Sequence, residues 1–159
     1  MLREQWPETA QRLEVVFAGP TTVEEREMFA DERLGGMVRA VGVLERPRTL
    51  ALQRAADSLL VLAEGASGRS VATNKLFEYL AAGRPVLVLG EDSEAARIVR
   101  DTGGGVAVPR GDPKPIASAL RRLVAGELRP GASGIERFAW PALAERFERE
   151  IELAAGEAG

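Results

Sequence analysis

Short apolar stretches alternate with amphipathic ones along the whole chain. Runs rich in valine, leucine and alanine predict five strands, at residues 13–18, 37–43, 58–63, 85–89 and 106–108. Helical patterns predict six helices, one from Thr22 and the others at about 47–56, 74–82, 93–102, 112–125 and 141–154. Regular alternation of this kind is typical of a parallel sheet covered by helices. The pattern therefore predicts one α/β domain with a doubly wound, Rossmann-like sheet.

Polar and glycine residues mark the ends of these helices. Thr22 and Glu25 have the spacing of a capping box, and Ser93 and Asp112 are placed to cap two later helices. The run Gly103–Gly105 resembles a phosphate loop, but it precedes a strand, whereas phosphate loops precede helices. We therefore interpret it as a helix stop.

The chain divides into three segments without a long linker or an internal repeat. Residues 1–12 are typical of a helix remnant, residues 13–125 form the predicted sheet domain, and residues 126–159 are a loose segment followed by the last helix. We expect Phe138 and Trp140 to pack that helix onto the body of the domain.

Composition excludes several kinds of chemistry. The chain has no cysteine and no histidine, so it lacks the commonest metal ligands and the commonest general base, and we expect neither a metal site nor a catalytic residue in it. The 21 basic and 24 acidic residues give a net charge of −3, which argues against a general nucleic-acid binder. No apolar run is long enough for a membrane span, and the first residues lack the pattern of a signal peptide, so we expect a cytoplasmic protein.

The loop after the third strand is the most informative. Ligands of open parallel sheets bind beyond the carboxyl ends of the strands, and here small residues are followed by a helix beginning near Thr73. A helix N-terminus attracts phosphate, and Lys75 in the first turn adds a positive charge. Either an anionic ligand compensates this unfavourably placed cation, or Lys75 is simply solvated.

Glu78 follows Lys75 by three residues, so both lie on one face of the predicted helix. One interpretation is an intrahelical Lys–Glu pair. The other is that Glu78 accepts the two hydroxyls of a ribose, as acidic residues do in dinucleotide-binding domains.

The stretch NKLFEYLAAGRPV, residues 74–86, resembles the signature of the group 1 glycosyltransferases, which are retaining enzymes of the GT-B fold. Gly42 and residues 55–57, 105–112 and 138–140 also fall where that family has similar residues. The resemblance covers about residues 13–150. It implies the C-terminal domain, which binds the donor nucleotide.

The resemblance also implies roles for single residues. Glu78 would bind the ribose hydroxyls of the donor. The turn facing the donor diphosphate would comprise Thr73, Asn74, Lys75 and Leu76. The loop bordering the nucleobase would comprise Gly42, Val43 and Leu44. The loop 65–72 would hold the donor sugar, and it includes Ser70 where the family has the first of its two paired glutamates, Glu78 matching the second.

Two departures from the family qualify this assignment. Ser70 carries no charge, which puts the contact to the donor sugar and activity itself in question. The family's first strand, central in its sheet, has no counterpart before Leu13, so we expect a gap with open strand edges. Either the sheet is rearranged and closes directly, or subunits exchange strands in a homo-oligomer.

The leading hypothesis is a partial donor-binding domain of a retaining glycosyltransferase, which transfers a sugar from a nucleoside diphosphate sugar to an unknown acceptor. It would need no cofactor, and it would require the missing N-terminal acceptor domain for activity. The last helix would then expose apolar residues toward that domain. The alternative is a non-catalytic binding or assembly module with the same fold. A sugar-nucleotide epimerase is a third hypothesis, disfavoured by the absence of histidine.

Overall fold

The computed structural model describes residues 2–63, 74–131 and 133–156. The strands are β1 (Val15–Ala18), β2 (Val38–Gly42), β3 (Leu59–Leu62), β4 (Val86–Leu89) and β5 (Gly105–Val108). The helices are α1 (Leu2–Gln5), α2 (Pro7–Gln11), α3 (Val23–Phe29), α4 (Arg46–Ala55), α5 (Asn74–Ala81), α6 (Glu94–Thr102), α7 (Pro113–Val124) and α8 (Trp140–Gly156). Short 3₁₀ helices span Glu32–Leu34 and Ile135–Phe138. This alternation confirms the predicted α/β class.

All strand pairs in the described residues are parallel. One sheet pairs β1 with β2, and the other has the order β3–β4–β5. β4 is central in the second sheet, and its residues Val86, Leu87 and Val88 are buried. A strand with neighbours on both edges and helices on both faces has no polar side, which explains why β4 is apolar throughout.

The two sheets are separated by the predicted gap. β1 and β3 each have a single hydrogen-bonded neighbour, so the described strands do not close the sheet directly. The amides of Val15 and Gly19 donate toward β2, and those of Leu59 and Ala63 donate toward β4. Because successive amides of a strand point to opposite edges, the amides of residues 16 and 18 face the open edge of β1, and those of residues 60 and 62 face the open edge of β3.

The core fills both faces of the three-stranded sheet. One face packs against α5 and α6 and contains Val61, Leu76, Leu80, Val88 and Val99. The other face packs Leu87, Val108 and Ala119 of α7 together. The apolar stripes of these three helices are therefore explained by burial.

The predicted helix ends are confirmed. The amide of Glu25 donates to Thr22 Oγ1 at 3.2 Å, and the amide of Thr22 donates to Glu25 Oε2 at 2.8 Å, which completes the capping box. The Ser93 and Asp112 side chains accept hydrogen bonds from the amides of the helices they precede. Gly103 ends α6 with a left-handed φ of 63°. The glycine run therefore acts as a helix stop.

The two chain ends differ from the sequence expectation in detail. Residues 2–11, expected to belong to a helix remnant, form two short helices, because Trp6 precedes Pro7 and adopts the non-helical angles φ −139° and ψ 66° between them. Phe138 packs as expected, with its ring centroid 5.1 Å from that of Phe77. The expectation for Trp140 is wrong, because this side chain is 85% exposed at the start of α8.

α8 presents the expected exposed apolar side chains. Phe147, Ile151 and Leu153 are all more than half exposed. None of the helices in the described ranges combines the length and the apolar character that crossing a bilayer requires.

Candidate functional site

Glu78 lies where α4 and α5 meet. Its Oε1 atom is 3.1 Å from Nη2 of Arg46, and its Oε2 atom accepts a long hydrogen bond of 3.5 Å from Nε2 of Gln53. The Glu78 side chain is 33% exposed. The carboxylate is therefore held by two donors and still reaches solvent.

The orientation of α5 follows from its sequence. Leu76 and Leu80 are four residues apart and are buried in the core, which fixes the helix on the sheet. Asn74 and Lys75 in the first turn are exposed. The Leu76 side chain belongs to the core, so only its backbone could take part in binding.

Lys75 and Glu78 do not form the intrahelical ion pair. Glu78 pairs with Arg46 instead, and no acidic side chain of the described residues pairs with Lys75. Burial raises the pKa of the neighbouring Tyr79 hydroxyl, and the negative charge of Glu78 contributes to this rise. Lys75 is thus a cation in the first turn of a helix without a protein counter-ion among the described residues.

The loop 42–44 joins β2 to the start of α4. Gly42 adopts φ 70°, and its carbonyl accepts a hydrogen bond of 2.8 Å from the Gly19 amide, so the ends of β1 and β2 lie together. Val43 is 77% exposed, and the Leu44 carbonyl accepts a hydrogen bond of 3.5 Å from the Thr49 hydroxyl. This loop leads directly into the helix that contacts Glu78.

Part of the expected site cannot be placed. Ser70, Thr73 and the remainder of the loop 65–72 lie outside the described residues. Among those that are described, the structure brings α5, α4 and the preceding loop into one region at the carboxyl ends of β2 and β3.

Arg46 and Gln53 were missed by the sequence analysis. Arg46 is the first residue of α4, and a cation there is unfavourable, which is the same signal that drew attention to Lys75. Gln53 carries a weaker signal, a polar residue that is only 8% exposed.

Two cavities of the domain lie away from Glu78. The larger cavity, of about 390 Å³, lies between α2 and α7, and a smaller one of about 100 Å³ lies beside Gly19. Neither is lined by Glu78. In the described part of the chain, no cluster of acidic residues could hold a metal ion.

The family profile described as "Glycosyl transferases group 1" matches residues 1–126. This chain belongs to that family. The resemblance first seen in the Asn74–Val86 stretch is thereby confirmed. No curated protein matches the chain significantly.

Several solved structures share the fold of this group 1 family member. Sucrose-phosphate synthase from Thermosynechococcus elongatus has a TM-score of 0.68 and 20% identity, with 91% of this chain and 39% of that chain covered. The lipopolysaccharide outer core galactosyltransferase WaaB has a TM-score of 0.69 and 18% identity, with 92% and 43% covered. Anabaena HepE in complex with UDP has a TM-score of 0.64 and 14% identity, with 98% and 46% covered.

These similarities show a Rossmann-like GT-B domain with fewer strands than a full domain. The chain spans less than half the length of the three structures.

Proposed function

We propose that this chain is the donor-binding part of a retaining glycosyltransferase, which transfers a sugar from a nucleoside diphosphate sugar to an acceptor. The observation that carries the proposal is Glu78, a carboxylate that is oriented by two donors and partly open to solvent.

Glu78 retains the capacity to bind a ribose. A carboxylate offers about four lone-pair positions, and among the described residues Arg46 and Gln53 use one on each oxygen. The remaining positions can accept the two adjacent hydroxyls of a ribose. Each charge-assisted hydrogen bond would contribute about 1.5–3 kcal/mol.

The start of α5 is suited to the donor diphosphate. Its first-turn residues Asn74 and Lys75 are exposed, and the helix dipole and the Lys75 ammonium would both attract an anion. These charges would also stabilise the departing diphosphate, so catalysis would be mainly electrostatic. Support comes from HepE, which shares the fold and has been solved with UDP, UDP and glucose, and UDP-glucose.

We propose that activity also requires an acceptor-binding domain, and we expect residues 1–159 alone to be inactive. Ser70 in place of the family glutamate leaves the contact to the donor sugar to be determined by experiment. A cytoplasmic location and the exchange of strands between subunits remain predictions.

The second candidate is a non-catalytic binding or assembly module. It is favoured by the open edges of β1 and β3 and by the exposed apolar side chains of α8. Nucleotide binding separates the two functions.

The test is thermal melting with UDP, GDP and ADP on the wild type and on Glu78→Ala. A nucleotide at about one hundred times its Kd should stabilise the wild type by roughly 2.7 kcal/mol, a shift of several degrees. The shift should be lost in Glu78→Ala. The matched control is Glu14→Ala, because Glu14 is also ion-paired, to Arg39 at 2.7 Å, but lies at the amino end of β1, whereas the proposed site lies at the carboxyl ends of the strands. If no nucleotide shifts the wild type at millimolar concentration, the binding-module function takes the place of this proposal.

A further inference from the structure

The two contacts that hold Glu78 come from one helix. Arg46 and Gln53 are seven residues apart on α4, which is two helical turns, so they lie on the same face about 10 Å apart along the axis. Each contacts a different oxygen of the carboxylate. The plane of the Glu78 carboxylate is therefore set from α4.

The two side chains differ in how firmly they are held. The Arg46 side chain is 73% exposed, so water competes with its ion pair and salt screens it. Gln53 is only 8% exposed. A buried carboxamide has little access to water as a substitute partner, and among the described residues the Glu78 carboxylate is the acceptor that lies within 3.5 Å of its Nε2 atom.

We infer that Gln53 is the positioning residue for Glu78 and sets the preference of the site for ribonucleotides over 2′-deoxyribonucleotides. By occupying one position of Oε2, the carboxamide orients the remaining lone pairs of Glu78 toward the two adjacent ribose hydroxyls. Removal of this constraint lets the carboxylate rotate, and the hydroxyl that distinguishes ribose from deoxyribose loses its fixed partner. The inference rests on the proposed donor site.

The test measures Kd by calorimetry for a nucleoside diphosphate and its 2′-deoxy analogue, with the base that gives the melting shift. The wild type should bind the ribonucleotide at least about tenfold more tightly, the equivalent of one charge-assisted hydrogen bond. In Gln53→Leu, which keeps the size and removes the amide, this ratio should fall toward one. Arg48→Gln is the matched control, because Arg48 is an exposed residue of the same helix, and it should keep the wild-type ratio.

A second variant separates positioning from folding. Gln53→Asn keeps a carboxamide but withdraws it by one methylene from a partner already 3.5 Å away, so it should also lower the ratio. If both variants raise the Kd of the ribonucleotide and of its 2′-deoxy analogue by the same factor, Gln53 has only a structural role and the inference is wrong.

The remaining outcomes are distinguishable. If Glu78→Ala abolishes the ribose preference while both Gln53 variants retain it, the donor site stands and the positioning role fails. If the wild type binds neither nucleotide, or Glu78→Ala binds both normally, the proposed function fails and the inference fails with it.

Discussion

The two halves of this domain are built from similar apolar sequences but are packed very differently. β1 (VVFA) and β4 (VLVL) have nearly the same composition, yet β1 is only partly buried while most of β4 is fully buried. Among the described apolar side chains that are buried, only Ala10 precedes β3. The half before β3 therefore has almost no core of its own.

The neighbours of each strand explain this difference. β4 has strands on both edges and helices on both faces, whereas β1 pairs only with β2. A ribbon of two strands alone is marginally stable in water. An apolar run is therefore necessary for a buried strand but does not determine how deeply the strand is buried.

The largest expected effect comes from deleting core volume in the well-packed half. Leu80→Ala removes a side chain that is 3% exposed, and it should cost about 2–5 kcal/mol of unfolding free energy. Leu50→Ala on α4 should cost less than about 2 kcal/mol, because Leu50 is only partly buried. Urea denaturation measures both. Equal losses would mean that the two halves are equally packed.

A smaller effect should come from adding one methyl group. A Cβ on Gly105 would overlap the backbone of Val86 on β4, so Gly105→Ala must push β5 away and should cost about 1–3 kcal/mol or more. Gly36 has φ 77° but open space around it, so Gly36→Ala should cost only the backbone strain, about 1–2 kcal/mol. Calorimetric melting and near-UV circular dichroism should show altered packing for Gly105→Ala alone. An altered near-UV spectrum in Gly36→Ala would contradict this.

The smallest effect should come from surface ion pairs, one in each half. Hydrogen bonds from Arg97 lower the pKa of Glu94 below 4.5, and those from Arg33 lower the pKa of Asp31 from 3.8 to about 2. A carboxylate whose pKa is lowered by folding stabilises the folded state. This contribution is full above the ordinary pKa of the unfolded chain and is lost as the pH falls through the lowered pKa of the folded chain.

Glu94→Gln and Asp31→Asn should therefore each destabilise slightly at pH 7. Relative to wild type, the loss in Asp31→Asn should be full above the ordinary pKa of 3.8, should shrink as the pH falls below it, and should be largely gone near pH 2. Melting temperatures between pH 2 and pH 7 measure both differences. A deficit that stays constant across this range would show that the charges contribute nothing and that the substitutions act through shape.

Much of the fold could be predicted from the sequence because local signals and burial agree. The capping box of Thr22, the helix stop at Gly103 and the apolar run of β4 each depend on neighbouring residues in the chain. The spacing of Lys75 and Glu78 likewise predicted that both lie on one face of a helix, and α5 includes both residues.

What could not be predicted depends on contacts between distant segments. Glu78 pairs with Arg46, 32 positions earlier, where the sequence offered Lys75 as the nearest cation. Trp140 was expected in the core from its apolar character, but the described residues place nothing over it and leave it exposed. Periodicity reports which face of a helix is apolar, and it does not report what covers that face.

The path of α4 has a mechanical consequence for the whole domain. This helix runs from the end of the β1–β2 ribbon to the start of β3, and besides its contacts to Glu78 its Arg54 carbonyl accepts a hydrogen bond of 2.9 Å from Arg84. A helix of ten residues is a stiff rod about 15 Å long. We therefore expect a tilt of the ribbon to move α4 and, with it, the Arg46 and Gln53 side chains that contact the Glu78 carboxylate. The orientation of the Glu78 side chain would thus depend on the orientation of the β1–β2 ribbon relative to the three-stranded sheet.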